Sequence, residues 1–146
     1  MSGYDVVAFF GLSQSAIGKQ QPEAVPGKKA ITAEYNGAKW AFSSEENRDT
    51  FLANPAAYAP QFDGHCAYGV AQGGKVPANP NLWRITDNKL YLNINPPVVG
   101  FFEEDIAGNL SSAAGNWPGL ESQAASAKSW KALKANDGTY SMESPQ

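Results

Sequence analysis

The sequence predicts an α+β domain: a small antiparallel sheet built from two β-hairpins, a capped helix packed on it, and C-terminal helices wrapping the outside. Three observations carry this. Asn36-Gly37 and Asp87-Asn88 each lie between short runs with alternating apolar residues and read as hairpins, Asn-Gly most strongly because both its residues tolerate the positive φ of a type I′ turn. Ser43, followed three residues later by Glu46, forms a capping box ahead of a helix. Pro96-Pro97 opens a second helix, since proline suits a first helical turn.

In chain order, Val6 to Phe10 is a β-branched and aromatic run that reads as a strand or extended segment. Ser13 to Lys29 is polar and broken by Gly18, Pro22, Pro26 and Gly27, which suits a surface loop with a helical turn near Ser15. The first hairpin joins Ala30–Tyr35 to Ala38–Phe42, with Ile31, Ala33 and Tyr35 on one face. The capped helix runs to Ala53, where Asn54-Pro55 stops it. Phe51 and Leu52 are expected inside, with Glu45, Arg48 and Asp49 in water. A helical turn over Pro55–Tyr58 ends at Pro60, and Asp63-Gly64 forms a turn before a short helix over Cys66–Gly73. After a loop at Pro77–Pro80, Leu82–Thr86 and Lys89–Ile94 make the second hairpin. A helix is expected over Val98–Gly108, with Glu103, Glu104 and Asp105 on its wet face. Asn109–Gly119 carries Trp117-Pro118, and Glu121–Lys134 has helical character anchored by Trp130 and Leu133. Residues 1–135 read as one domain and 136–146 as a frayed tail. No internal repeat is read.

The 146 residues suffice for one core. A 42% hydrophobic content with 12% aromatics excludes a disordered chain. The net charge of −3 and the lack of a Lys/Arg cluster exclude a nucleic-acid surface. No run reaches the roughly 20 apolar residues of a membrane helix. Met1-Ser2-Gly3 leads straight into the domain, so no signal peptide is read, a start that also suits a trimmed chain. The single Cys excludes an internal disulfide.

The run Tyr35-Asn36-Gly37, Trp40, Phe42-Ser43-Ser44-Glu45-Glu46, Phe51, Asn54-Pro55 and Tyr58 resembles the YHS domain. Gly3-Tyr4-Asp5-Val6-Val7-Ala8-Phe9-Phe10 and Tyr58 to Val70 resemble the opening and central signature of a longer YHS subgroup. Glu103 to Asn109 and Asn116-Trp117-Pro118 resemble its C-terminal half, so the resemblance spans roughly residues 3–120. It implies a treble-clef-like relative of heavy-metal-associated domains, a role in handling copper or another heavy metal, and an exported, periplasmic or secreted setting. Metal-binding relatives carry cysteines where the second strand meets the helix. Here those positions are Ser43 or Ser44 and Asn47.

The only His and only Cys, His65 and Cys66, are adjacent and form the candidate metal site. Imidazole and thiolate suit copper, and zinc less well because a structural zinc site needs four ligands. Two chains in a homodimer would pool two of each. The competing reading makes Cys66 a small buried hydrophobe and His65 a hydrogen-bonded turn residue. Cys66 as a nucleophile with His65 as base is a third reading, set back by the poor geometry of adjacent residues and the lack of an orienting group. Glu103, Glu104 and Asp105 spread around a helix, and the glycines near Gly69 lack the ending of a phosphate loop. The expectation is a non-enzymatic metal-handling protein. The alternative is a metal-free binding module using an aromatic-lined pocket, drawn from Trp40, Trp83, Tyr35, Tyr68, Tyr91, Phe101 and Phe102, for a small molecule or protein partner.

Overall fold

The computed structural model describes residues 3–124. The expected helix over Glu121–Lys134 and the tail lie largely outside them. The α+β class holds. The elements are β1 (Lys28–Tyr35), β2 (Ala38–Phe42), α1 (Glu45–Ala53), α2 (Pro55–Tyr58), α3 (Ala67–Ala71), β3 (Asn79–Thr86), β4 (Lys89–Asn93), α4 (Pro96–Glu104) and α5 (Ile106–Leu120). Both hairpins form as expected. Asn36 and Gly37, like Asp87 and Asn88, all have φ between 52° and 75°, the type I′ signature. The hairpins do not share one sheet. β1–β2 and β3–β4 are separate two-stranded antiparallel sheets.

Val6 to Phe10 is not a strand. The Asp5 carboxylate accepts the backbone N–H groups of Val7 and Ala8 at 2.9 and 3.1 Å, an Asx-type turn. That curls the chain into a 3-10 turn at Ala8–Gly11. The turn points Val6 at Phe42 and Phe51, and Phe9 at Trp83 and Leu90. The N-terminal segment thus plugs both hairpin cores.

The helix cap is Ser44, one residue later than the capping box implied. Its hydroxyl accepts Asn47 N–H at 3.1 Å, because the Ser43 hydroxyl is committed to Asp5. Phe51 is buried as expected, but Leu52 is half exposed. The Val98–Gly108 helix is two helices. Asn95 caps α4 through Val98 N–H, and Asp105 ends it and caps α5 through Gly108 N–H. Asn109–Gly119, including Pro118, lies within α5. Asn116 secures that helix by donating to the carbonyls of Val70 and Ala71.

Glu103 is not on a wet face. It is 8% exposed and paired with Arg84 of β3, while its other oxygen accepts Gly18 N–H at 2.7 Å. Arg84 also donates to the carbonyls of Ser15 and Ala16. One buried pair therefore joins β3, α4 and the 15–18 loop. A repeat is also present: the second hairpin and its helix reproduce the first 51 positions on (28 to 79, 45 to 96). Few identical residues betray it, among them Val25/Val76, Pro26/Pro77, Phe51/Phe102 and Ala56/Ala107.

Removing one partner of a buried ion pair strands the other charge. Glu103→Ala is expected to lower the unfolding free energy by about 3–5 kcal/mol in urea titrations. Glu104→Ala, on the exposed neighbour, changes it by less than about 0.5 kcal/mol.

Candidate functional site

Three left-handed residues present His65 and Cys66. Phe62, Asp63 and Gly64 have φ of 57°, 52° and 78°. A bulky residue such as Phe rarely adopts this conformation. Here it is held by Phe62 packing against Tyr91 and Trp117, and by His65, whose backbone N–H donates to Phe62 O at 2.9 Å. The turn sends the two side chains into different surroundings.

Cys66 faces inward. Its side chain is fully buried in a cluster with Phe9, Trp83, Leu90, Leu92 and Ile94. The sulfur caps α3 by accepting Gly69 N–H at 3.4 Å, and the S–H donates to Asn93 Oδ1 at 3.5 Å. Asn93 Oδ1 also accepts Tyr68 N–H at 3.1 Å. Burial pushes the Cys66 thiol up to about 11, so it is protonated at neutral pH.

His65 is half-buried and faces α5. Its Nδ1 lies 2.8 Å from Phe62 O. A carbonyl only accepts, so Nδ1 carries the proton and Nε2 is left as the acceptor nitrogen. The ring lies 6.0 Å from that of Trp117, over which Lys75 Nζ sits at 5.3 Å. Lys75 also donates to the carbonyls of Glu121 and Gln123, both at 2.6 Å, tying down the end of α5. Burial first, then the nearby Lys75 charge, hold His65 below its ordinary pKa against the opposing effects of Phe62 O and Asp63.

A third group was not singled out from the sequence. Asp5 is fully buried. Besides Val7 and Ala8 N–H, its carboxylate accepts Ser43 N–H at 2.8 Å, the Ser43 hydroxyl at 2.6 Å and Asn47 Nδ2 at 2.8 Å. The resemblance places the cysteines of metal-binding relatives at Ser43 or Ser44 and at Asn47, so two of these three candidates meet Asp5. They do converge, but on a carboxylate of the same chain. A signal existed in Asp5 standing between Tyr4 and the apolar pair Val6-Val7, where only a locally hydrogen-bonded acid fits.

Each of these donor sets has a feature that opposes a metal. Asp5 is saturated by N–H and O–H donors that a cation would have to displace. The Cys66 sulfur is enclosed and protonated, and His65 offers Nε2 alone. No three His, Cys, Asp or Glu side chains gather into a metal-holding group among the described residues. As folded, the donors among the described residues do not fit a copper or zinc centre. Of the aromatic pocket set, Trp83, Tyr91 and Phe102 are buried, Tyr35 and Trp40 are partly buried against Phe51, and Tyr68, partly buried, packs on the half-exposed Phe101. No described helix is long and apolar enough to cross a membrane.

Residues 21–62 match the family model of the YHS domain, in line with the resemblance. The matched stretch holds the first hairpin, α1 and α2, and stops before His65 and Cys66. YHS domains are generally associated with metal handling, copper included. No curated protein and no solved structure matches the chain.

The Asp5 carboxyl lies below its ordinary 3.8. Burial alone would raise it, but hydrogen bonds from Asn47, Ser43 and Ala8 outweigh that. A lowered carboxyl stabilises the fold above the unfolded-state pKa and loses this as pH falls through the folded one. Asp5→Ala should therefore be about 2–3 kcal/mol less stable than wild type at neutral pH, for lost acceptors to buried donors. In urea titrations the gap should narrow once pH falls below 3.8. Native Cys66 should resist iodoacetamide at about pH 8 and react once unfolded, as mass spectrometry would read.

Proposed function

We propose that this protein is a non-enzymatic binding module. Its YHS-type segment is closed by hydrogen bonds onto Asp5 in place of a metal, and its ligand face is the half-buried group of Phe62, His65 and Trp117. The observation that carries the reading is the contrast between the two soft donors. The thiol is buried, protonated and hydrogen-bonded. The imidazole keeps Nε2 as an acceptor beside two aromatic rings. A protonated, enclosed thiol is a poor nucleophile and a poor soft-metal ligand, which argues against Cys–His catalysis and a Cys–His metal pair alike. A flat apolar molecule or partner side chain carrying an N–H or O–H suits the half-buried imidazole.

The metal reading remains the second one, favoured by the YHS match at residues 21–62. In it, His65 and Cys66 bind copper, with zinc less suited, and a homodimer supplies the missing ligands. It requires the N-terminus of α3 to open so that the sulfur is released.

Copper(I) titration against a competing chelator separates the two. Under the binding-module reading Cys66→Ala leaves any copper affinity within about threefold of wild type, because the thiol takes no part. A loss of about tenfold or more in both Cys66→Ala and His65→Ala establishes the metal site and overturns this reading. The ligand face is read separately by ¹H–¹⁵N spectra during titration with indole, phenol and imidazole fragments. Shifts centred on His65 and the Trp117 indole, abolished by Trp117→Ala, are expected.

A further inference from the structure

The two halves of the fold repeat each other at one constant spacing. β1, β2 and α1 recur 51 positions on as β3, β4 and α4, with identical lengths (28 to 79, 38 to 89, 45 to 96). The strand pairing moves by the same amount at each rung. Thr32↔Ala41 becomes Trp83↔Leu92, Tyr35↔Ala38 becomes Thr86↔Lys89, and both ladders are irregular after their first pair. The N-caps Ser44 and Asn95 correspond, each accepting the N–H three residues on. The helix breaks correspond too. Asn54 has φ −158° and ψ 74°, Asp105 has φ −152° and ψ 73°, and a new helix follows each at once. Phe51 and Phe102 are both fully buried, each beside a strand aromatic, Trp40 at 5.2 Å and Tyr91 at 6.3 Å. A hairpin followed by a helix is common. A shared irregularity, cap and break at one spacing is not something secondary-structure geometry demands.

The correspondence reaches back to the segment before each hairpin. Asp5 N–H donates to Val25 O at 2.8 Å, and Cys66 N–H to Val76 O at 3.0 Å. Val25 and Val76 stand at the same spacing (25 to 76). Asp5 accepts the N–H of Ala8, three residues on, and Cys66 accepts that of Gly69, also three on. Ser43 N–H donates to Asp5 at 2.8 Å, and the backbone of its counterpart Ile94 (43 to 94) acts on the Cys66 thiol, easing it down against burial. The next residues, Val6 and Ala67, enter the clusters of Phe51 and Phe102 respectively. The spacing differs only ahead of the hairpin. Residues 5–25 in the first half correspond to the shorter 66–76 in the second.

We propose that residues 66–113 are a second copy of the unit formed by residues 5–62, with Cys66 as the counterpart of Asp5. The family match covers only the first copy. In each unit this residue is the buried acceptor that ties the entering chain to the strand–helix junction. Its chemistry follows its neighbours. In the first unit the Ser43 hydroxyl and Asn47 amide donate to it, so a carboxylate is stable. In the second, those positions are Ile94 and Val98, which offer no side-chain donor. A neutral thiol suits that site, where a carboxylate would be buried with too few partners. The only cysteine is thereby assigned a positioning role.

Grafting the first unit's chemistry onto the second tests this. Cys66→Asp alone is expected to lower Tm by more than about 5 °C. Adding Ile94→Ser and Val98→Asn should restore at least half of the loss. The reciprocal set, Asp5→Cys with Ser43→Ile and Asn47→Val, should likewise recover over Asp5→Cys alone. Hydrogen exchange supplies a readout independent of Tm. In the first triple variant the amides of residues 69 and 94 should be as protected as in wild type. Recovery in either triple variant with those amides protected supports the assignment. Triple variants no more stable than their single parents overturn it, as does a Cys66→Asp variant as stable as wild type.

Discussion

A buried carboxylate with no ion-pair partner among the described residues holds the first half of this fold together. Asp5 receives five donors, from Val7, Ala8, the Ser43 amide and hydroxyl, and Asn47. An ionised group in an apolar interior is costly unless hydrogen bonds replace its hydration. Here they also come from two distant stretches of chain, so satisfying the charge and closing the tertiary structure are one event. The position of Val6 and Phe9 follows. The Asx turn at Asp5 aims one at the first hairpin core and the other at the second. The one-residue displacement of the helix cap to Ser44 follows as well, since Ser43 is already engaged.

The second half solves the same geometric problem with a weaker acceptor. A thiol needs little hydration, so Cys66 can sit among Leu90, Leu92 and Ile94, accepting the Gly69 N–H and donating its own S–H to Asn93 Oδ1. Its stability rests more on packing, and α5 adds to it by running past α2's short counterpart length to cover Val70 and Ala71. The Arg84–Glu103 pair then fixes the second hairpin to α4 and to the 15–18 loop. That link has no counterpart in the first half, where positions 33 and 52 are Ala and Leu.

What the sequence revealed was local. Asn36-Gly37 and Asp87-Asn88 announce their hairpins because turn conformation depends on the turn residues themselves. Asn54-Pro55 and Pro96-Pro97 mark helix boundaries for the same reason. What it concealed depended on partners far along the chain. Nothing near Glu103 says that Arg84 will meet it, so a buried acid looked solvated. Nothing near Val6 says that Asp5 will curl the backbone, so a β-branched run looked like a strand. The repeat was hidden because its units share geometry with few shared residues. Trp40 and Tyr91, or Ser43 and Ile94, fill equivalent places with different chemistry. Of the candidate site, the adjacency of His65 and Cys66 was legible, but their opposite directions were not. Those depend on the left-handed turn at Phe62–Gly64 and on the rings that hold it.

The proposed function follows from which atoms remain available once the fold is satisfied. Among the described residues no buried side-chain nitrogen or oxygen lacks a partner, so the interior holds no waiting polar group for a cofactor to complete. The Ser43–Asn47 corner, where a metal would be sought by family resemblance, is already filled by Asp5. The thiol is consumed in capping α3. His65 differs because its own hydrogen bond to Phe62 O fixes the tautomer and leaves Nε2 as the acceptor nitrogen. Trp117 and Phe62 flank it with apolar area, and Lys75 holds the helix end on which Trp117 stands. An imidazole oriented by the backbone and set in an aromatic surround is preorganised, and the proposed binding role draws on that chemistry.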